Sequence, residues 1–343
     1  MSTIGIVANP ASGKDIRRLV SRASVFDNPE KQAIVQRLLA GVLGALGPQG
    51  WRVAYLDDAH GIVRRAITEV LGDADPRAQP AVAAETGTAL DTTRAARALA
   101  ALPSSVNVTL GGDGTNRAFA LGWVDAPLIP ISTGTNNVFP RLVEATVAGA
   151  AAALVAAGMV PLAEVSEQRK IIRVEIEDED EDLALIDAVL VDDRFVGARA
   201  LLHPESLCSA LLTVADPAAV GITAIGGLLS PLSSRIDSGL VLEFGGSGGR
   251  VVRSPIAPGH YREVDIATCR TIGLGQSVRC TGPGVLAFDG ERERTLKPGQ
   301  QATLTVHRAG PWVVDVSQVM RLAAERGFFL NPPRAEAAAG GQS

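Results

Sequence analysis

The chain has 343 residues, of which 46% are apolar, with 32 basic and 37 acidic side chains and a net charge of −5. That length suggests about two domains and gives ample material for a buried core, and the composition excludes a disordered chain. The acidic balance argues against a nucleic-acid footprint, so no nucleic-acid partner is expected.

The opening MSTIGIVANPASG has neither a basic n-region nor an apolar h-region, so no secretory signal is expected and a cytoplasmic location follows. Ile4–Ala8 is an apolar run that ends in Asn9-Pro10-Ala11-Ser12-Gly13-Lys14, a first strand and polar turn of an α/β sheet. The turn is no Walker loop, because Ala8 stands where that motif needs glycine and Asp15 follows Lys14. It still offers Ser12, the Gly13 amide and Lys14 to a phosphate. Asn28–Leu46 reads as a helix, with Asn28 as cap, Pro29 in the first turn, apolar residues at helical spacing and Gly47-Pro48 as stop. Trp51–Leu56 is a second strand, Gly61–Leu71 a helix, Ala81–Glu85 a weak strand and Thr88–Leu102 an alanine-rich helix.

The chain is organised around Val106–Asn116, VNVTLGGDGTN. β-Prone residues run into Gly111, Gly112, Asp113, Gly114 and Thr115, and a helical segment, Asn116–Trp123, follows at once. Strand, glycine turn and helix gather backbone N–H groups around a phosphate. A carboxylate inside such a turn repels phosphate, so Asp113 suits a metal organiser or a base for an attacking hydroxyl. Taken alone, a tight turn that uses Gly and Asp for their backbone preferences explains the stretch equally well. Pro127–Ile131 is another strand, opening into Ser132-Thr133-Gly134-Thr135-Asn136-Asn137. Three small, polar, glycine-bearing loops therefore fall at strand C-terminal ends. A shared phosphate crevice accounts for all three, with hydroxyls from Thr115, Thr133 and Thr135 and amides from Asn136 and Asn137 as donors.

Phe139–Ala157 is expected to be a long helix, and the uncharged, alanine-dominated stretch 145–163 is too weakly apolar for a membrane span. Beyond it, Arg169–Ile176 and Leu183–Val191 read as a hairpin with a solvated acidic tip, Glu177–Asp182. Phe195–Leu202 reads as a strand and Ser206–Val214 as a helix. Leu240–Phe244, Val251–Ile256, Glu263–Thr268, Ser277–Cys280, Val285–Phe288 and Ala302–Val306 follow as short strands, the pattern of an antiparallel sandwich. Asp289-Gly290-Glu291 is either a hairpin turn, the better reading in isolation, or a carboxylate pair facing the crevice. Trp312–Val316 and Ser317–Gly327 resume the α/β style and are expected to return to the first domain. Cys208, Cys269 and Cys280 have no metal spacing and read as thiols of a reducing compartment.

The ordered set Asn9-Pro10 with Ser12-Gly13-Lys14, GGDGT at 111–115, Gly134-Thr135-Asn136 and Asp289-Gly290-Glu291 resembles the NAD kinase/diacylglycerol kinase superfamily. Within it, NPASGKDIRRL and TGTNNVFP look like the ATP-NAD kinase-like acetoin-catabolism X proteins. The resemblance implies an α/β nucleotide-binding kinase domain of doubly wound, Rossmann-like form (1–158 plus 311–330), a β-sandwich second domain (159–310) and a tail (331–343). It implies ATP in the cleft, with Asn9, Ser12, Gly13, Lys14, Gly111, Gly112, Gly114, Thr115, Thr133, Gly134, Thr135, Asn136 and Asn137 around the nucleotide and Mg²⁺ bridging the phosphates. Asp113 would be the base, with Glu291 a second catalytic candidate and Asp289 a metal candidate. Asp187-Ala188 stands at the place of the Asn-Glu pair that NAD kinases use on the dinucleotide, so Asp187 is the acceptor-side candidate. The implied reaction is phosphorylation of the 2′-hydroxyl of NAD. TGTNN looks closer to the lipid-kinase form, so a lipid or small metabolite linked to acetoin breakdown is the alternative acceptor, and a nucleotide-binding regulator without turnover is the third reading. A homo-oligomer is expected.

Overall fold

The computed structural model describes residues 2–12, 26–134, 136–192, 204–246 and 249–330. Its first half alternates β1 Ser2–Ala8, α1 Asn28–Leu46, β2 Trp51–Asp57, α2 Ile62–Leu71, β3 Ala78–Ala83, α3 Ala89–Ala100, β4 Ser104–Gly111, α4 Asp113–Gly122, β5 Pro127–Ser132 and α5 Ala145–Ala156. The five strands pair in parallel in the order β3-β2-β1-β4-β5. Ile34, Val35 and Leu38 of α1, Ile62, Val63 and Ala66 of α2 and most of α5 pack on one face. Ala95, Ala96 and Leu99 of α3 and Phe119 of α4 pack on the other. Parallel strands need crossovers, and the crossover helices bury both faces, which is the doubly wound layout that the sequence predicts.

A short α6, Leu162–Val165, leads to β6 Ser166–Gln168, and β7 Ile171–Ile176, β8 Asp182–Ala184, β9 Asp187–Val191 and β10 Leu207–Leu212 follow. After α7, Ile222–Leu229, come β11 Ser238–Phe244, β12 Arg250–Ala257, β13 His260–Gly273, β14 Ser277–Thr281, β15 Gly284–Phe288, β16 Glu291–Leu296 and β17 Gln301–His307. They form two antiparallel sheets, β12-β13-β11-β10-β9-β15-β16 and β14-β17-β7-β8. Between them Ile172, Val174, Leu211, Leu286, Phe288 and Val306 make a sandwich core. The last elements, β18 Trp312–Val314 and α8 Val316–Glu325, come back to the first sheet. There β18 runs parallel to β5 and antiparallel to β6, completing the order β3-β2-β1-β4-β5-β18-β6. No helix among the described residues is long and apolar enough to cross a membrane.

Several local expectations are corrected. Ser206–Val214 holds strand β10 instead of a helix, hydrogen-bonded on both sides to β9 and β11. Leu211 faces the sandwich core and Leu212 the layer under α7, and a strand buried on both faces loses the alternation that would reveal it. The helix expected from Phe139 starts at Ala145. Arg141 instead extends the sheet edge, its N–H donating to Pro130 O and its carbonyl accepting from Ser132 N. The cap of α1 is the Asp27 carboxylate, which accepts from Glu30 N, and not Asn28. The weak strand begins at Ala78 with Pro80 inside it, tolerable because β3 is a sheet edge. Asp182 leaves the expected solvated tip for a buried ion pair with Arg117. Phe195–Leu202 lies outside the described residues.

Candidate active site

Because β1, β4 and β5 are parallel neighbours, their C-terminal ends reach the same sheet edge. The loops beyond them continue the ladder, with Asn9 N donating to Leu110 O at 3.0 Å and Thr133 N to Gly111 O at 3.2 Å. Side chains then tie the loops together. Asn9 Nδ2 donates to Thr115 Oγ1 at 2.8 Å, Ser12 Oγ lies 3.0 Å from Thr133 Oγ1, and Asn137 Nδ2 donates to Ser132 Oγ at 2.7 Å. Gly111 and Gly112 are needed for close approach and not for a left-handed backbone. A Cβ on Gly111 would lie 2.3 Å from Thr115 Oγ1, and one on Gly112 would lie 2.9 Å from Asn137 Oδ1. Gly114 lies in the first turn of α4, Gly134 is buried with its carbonyl held by Ser132 Oγ at 2.6 Å, and Asn136 is half-buried. Gly13, Lys14 and Thr135 lie outside the described residues. A cavity of ≈ 370 Å³ opens beside Ser132, lined by Phe26, Ile34, Leu142, Arg37 and Glu144 among others.

Asp113 is the first residue of α4, where a negative charge meets the positive end of the helix. Its carboxylate reaches the third loop. Oδ1 accepts from Phe139 N at 2.8 Å and from Val138 N at 3.1 Å, and Oδ2 shares the Val138 N–H at 3.1 Å. The acid is thus aimed by two backbone donors at the first turn of α4.

Two groups in this region escape a reading of the sequence. Lys31, on the first turn of α1, is fully buried, and its ammonium donates to Asn9 O at 2.9 Å, Pro10 O at 3.3 Å and Ser12 O at 2.7 Å. It fixes the curvature of the first loop. Only its place one turn into a capped helix facing that loop hints at this. Asn116, also fully buried, accepts from Thr109 Oγ1 at 2.7 Å and donates to Gly112 O at 2.8 Å, locking the glycine turn onto its helix. Replacing Lys31 with Met strips buried carbonyls of a charged donor. The expected loss is about 1.5–3 kcal/mol of stability in urea melts, together with weaker ATP binding by calorimetry. Unchanged ATP affinity would mean that the first loop does not touch the nucleotide.

Asp289 and Gly290 both take left-handed backbone, φ 50° and 80°, and make the predicted two-residue turn between β15 and β16. The Asp289 carboxylate is buried and turned toward the corner between β8 and β9, where it accepts from Leu185 N at 2.9 Å, Ile186 N at 2.7 Å and Asp187 N at 3.2 Å. Asp187 is itself buried, and its carbonyl accepts from Asp289 N at 3.0 Å. The side chain of Glu291 lies outside the described set. Among the described residues no group of three or more His, Cys, Asp or Glu gathers around a common point. Burial outweighs the amides and Arg117 and pushes the Asp289 carboxyl up to about 6. A carboxyl raised in the folded state contributes stability at low pH that is lost as pH rises through the folded value. Relative to Asp289→Asn, the native protein is therefore expected to lose roughly 2 kcal/mol as pH climbs from about 4 to about 6. Urea denaturation of both proteins across that range measures it, and a constant difference would refute it.

Residues 4–159 match the family model of the ATP-NAD kinase N-terminal domain, and residues 170–309 match that of the acetoin catabolism protein X C-terminal domain. Acetoin catabolism protein X of Cupriavidus necator is 34% identical over 343 aligned residues, covering 96% of this chain and 95% of that protein. Among solved structures, yeast NADH kinase complexed with NADH superimposes with a TM-score of 0.53 at 13% identity, covering 98% of this chain and 90% of that one. That likeness is one of fold.

Proposed function

The chain belongs to the acetoin catabolism protein X family, and from that premise we propose that it is an ATP-dependent kinase, transferring the γ-phosphoryl group of ATP to a hydroxyl, most simply the 2′-hydroxyl of NAD. The observation that carries this reading is the meeting of three loops at one sheet edge with an amide-aimed carboxylate, Asp113, among them. Phosphoryl transfer asks chiefly for alignment and charge neutralisation, and backbone amides with small polar side chains supply both. In the proposed reaction the acceptor oxygen bonds to the γ-phosphorus, the bond to the bridging oxygen of ADP breaks, and the acceptor proton goes to the Asp113 carboxylate. Mg²⁺, when bound with the nucleotide, supplies neutralisation of the phosphate charge.

The acceptor has a second candidate. Asp187-Ala188 replaces an amide and an acid with an acid and an alanine, and Ala188 is fully buried, which favours a hydroxyl compound other than a dinucleotide, such as one formed in acetoin breakdown. Incubation with ATP, Mg²⁺ and NAD, followed by chromatography for NADP, tests the first acceptor. A panel of alcohols that includes acetoin and diacylglycerol, read by ADP release, tests the second. ATP binding with no acceptor-dependent ADP release would favour the regulator, and absence of ATP binding would sink all three readings.

A further inference from the structure

One helical turn beyond Asp113 on α4 stands Arg117, only 5% exposed. Its guanidinium leaves the first sheet's layer and donates through Nη2 to Asp182 Oδ1 and through Nε to Leu183 O, both at 2.6 Å. It also lies over the Phe288 ring, 5.1 Å from its centre. Asp182, buried as well, accepts on its other oxygen from Arg294 Nε at 3.1 Å. Phe288 is the residue before Asp289, which holds the 185–187 amides, and the Leu185 carbonyl is taken by Thr213 Oγ1 at 2.6 Å. Leu185 and Ile186 pack in one apolar cluster with Phe119 of α4 and with Phe139, whose amide Asp113 accepts. The path therefore closes on itself, from Asp113 through Phe139 to the 185–187 corner, to the β15–β16 turn, and by Arg117 back to α4.

We propose that Arg117 is a positioning residue: by bonding Asp182 and the Leu183 carbonyl across the two sheets it fixes α4, and with it the Asp113 carboxylate, against the 185–187 corner of the acceptor side. A simple buried ion pair would need one contact to Asp182. The second, directional contact to a backbone oxygen and the stacking on Phe288 fix the helix's rotation as well as its distance, which only a planar fork can do. Rotation of α4 is what moves Asp113 relative to an acceptor. A displacement near 1 Å at a reacting group costs on the order of 100-fold in rate.

The inference rests on the kinase reading for its rate readout and on amide exchange for a readout free of it. In the full-length protein, Arg117→Lys keeps the charge beside Asp182 and loses the fork. Its melting temperature should fall by only a few degrees, because the buried Leu183 carbonyl loses its donor while the ion pair with Asp182 survives. With ATP, Mg²⁺ and NAD or whichever alcohol turns over, kcat should fall about 100-fold while KM for ATP changes less than about threefold. Hydrogen exchange at the Val138 and Phe139 amides, whose own partner Asp113 is untouched by the substitution, should quicken. Full kcat in Arg117→Lys, or unchanged exchange at 138–139, would overturn the assignment. If the native protein turns over no acceptor, the kinase reading fails, and exchange at 138–139 alone decides the role of Arg117.

Discussion

Asp113→Asn is expected to lower acceptor-dependent ADP release by roughly 10²–10⁴-fold while ATP still binds, the range for loss of a general base. The geometry makes the variant informative because the carboxylate does two things. It orients the third loop through Val138 N and Phe139 N, and in the proposed reaction it takes the acceptor proton. Asparagine keeps one acceptor oxygen for Phe139 N but sets an N–H₂ group toward Val138 N–H, so a stability loss of about 1 kcal/mol accompanies the rate loss. Alanine leaves both amides without that acceptor and should cost more stability with a similar rate. Initial rates, calorimetric ATP affinity and thermal melts on the same preparations separate the two roles. Retention of more than about a tenth of native turnover by Asp113→Asn would remove the base assignment, since base catalysis is worth far more.

Gly149→Ala is expected to be strongly destabilising on the opposite face of the sheet. Helices α1 and α5 touch backbone to backbone: a Cβ on Gly149 would lie 2.0 Å from Leu38 O, and one on Gly41 would lie 2.0 Å from Thr146 O. Neither clash can be relieved by a flexible side chain, so the helices must separate in a core packed at crystal density. Alanine gains about 1 kcal/mol over glycine in a helix, whereas overpacking costs about 3 kcal/mol or more when backbone must move, so the balance is a net loss near 2 kcal/mol. Gly44→Ala is the control on the same helix, because that site is exposed with open space around it. It should gain about 0.5–1 kcal/mol. Urea denaturation of the three proteins decides, and equal shifts in the two variants would discard the close-packing account. The consequence extends to the site, since α1 carries Lys31 and α5 follows the loop that Asp113 grips.

The same helix pair marks what the sequence could reveal. Alanine dominance in 145–156 shows that side chains are small, and hence that the stretch is no membrane span, but the identity of the partner is a fact of tertiary structure. The strand–loop–helix order of the first sheet was legible, because crossover helices with caps and stops separate short apolar runs. So were the loops at 9–12, 111–115 and 132–137, because parallel topology sends successive strand ends to one edge. The Asp-Gly turn was legible from its backbone demand alone. Three features were not. Strand β10 hid behind burial on both faces. Asp182 looked like one more acid in a charged run, because its partner Arg117 is 65 residues away in sequence. Lys31 gave no sign of its role, because nothing local requires a lysine to fold back on carbonyls.

The placing of β18 has a consequence for biogenesis. Residues 312–314 sit between β5 and β6 in the first sheet, after the whole sandwich in chain order. A ribosome therefore releases the sandwich before it releases the strand that closes the earlier layer. Until then β5 presents part of an open edge and β6 has no neighbour among the named strands, the state most exposed to wrong pairing. Late closure also makes the long-range contacts of that layer depend on the sandwich having already brought the chain back, so the two halves of the molecule mature together and not in turn.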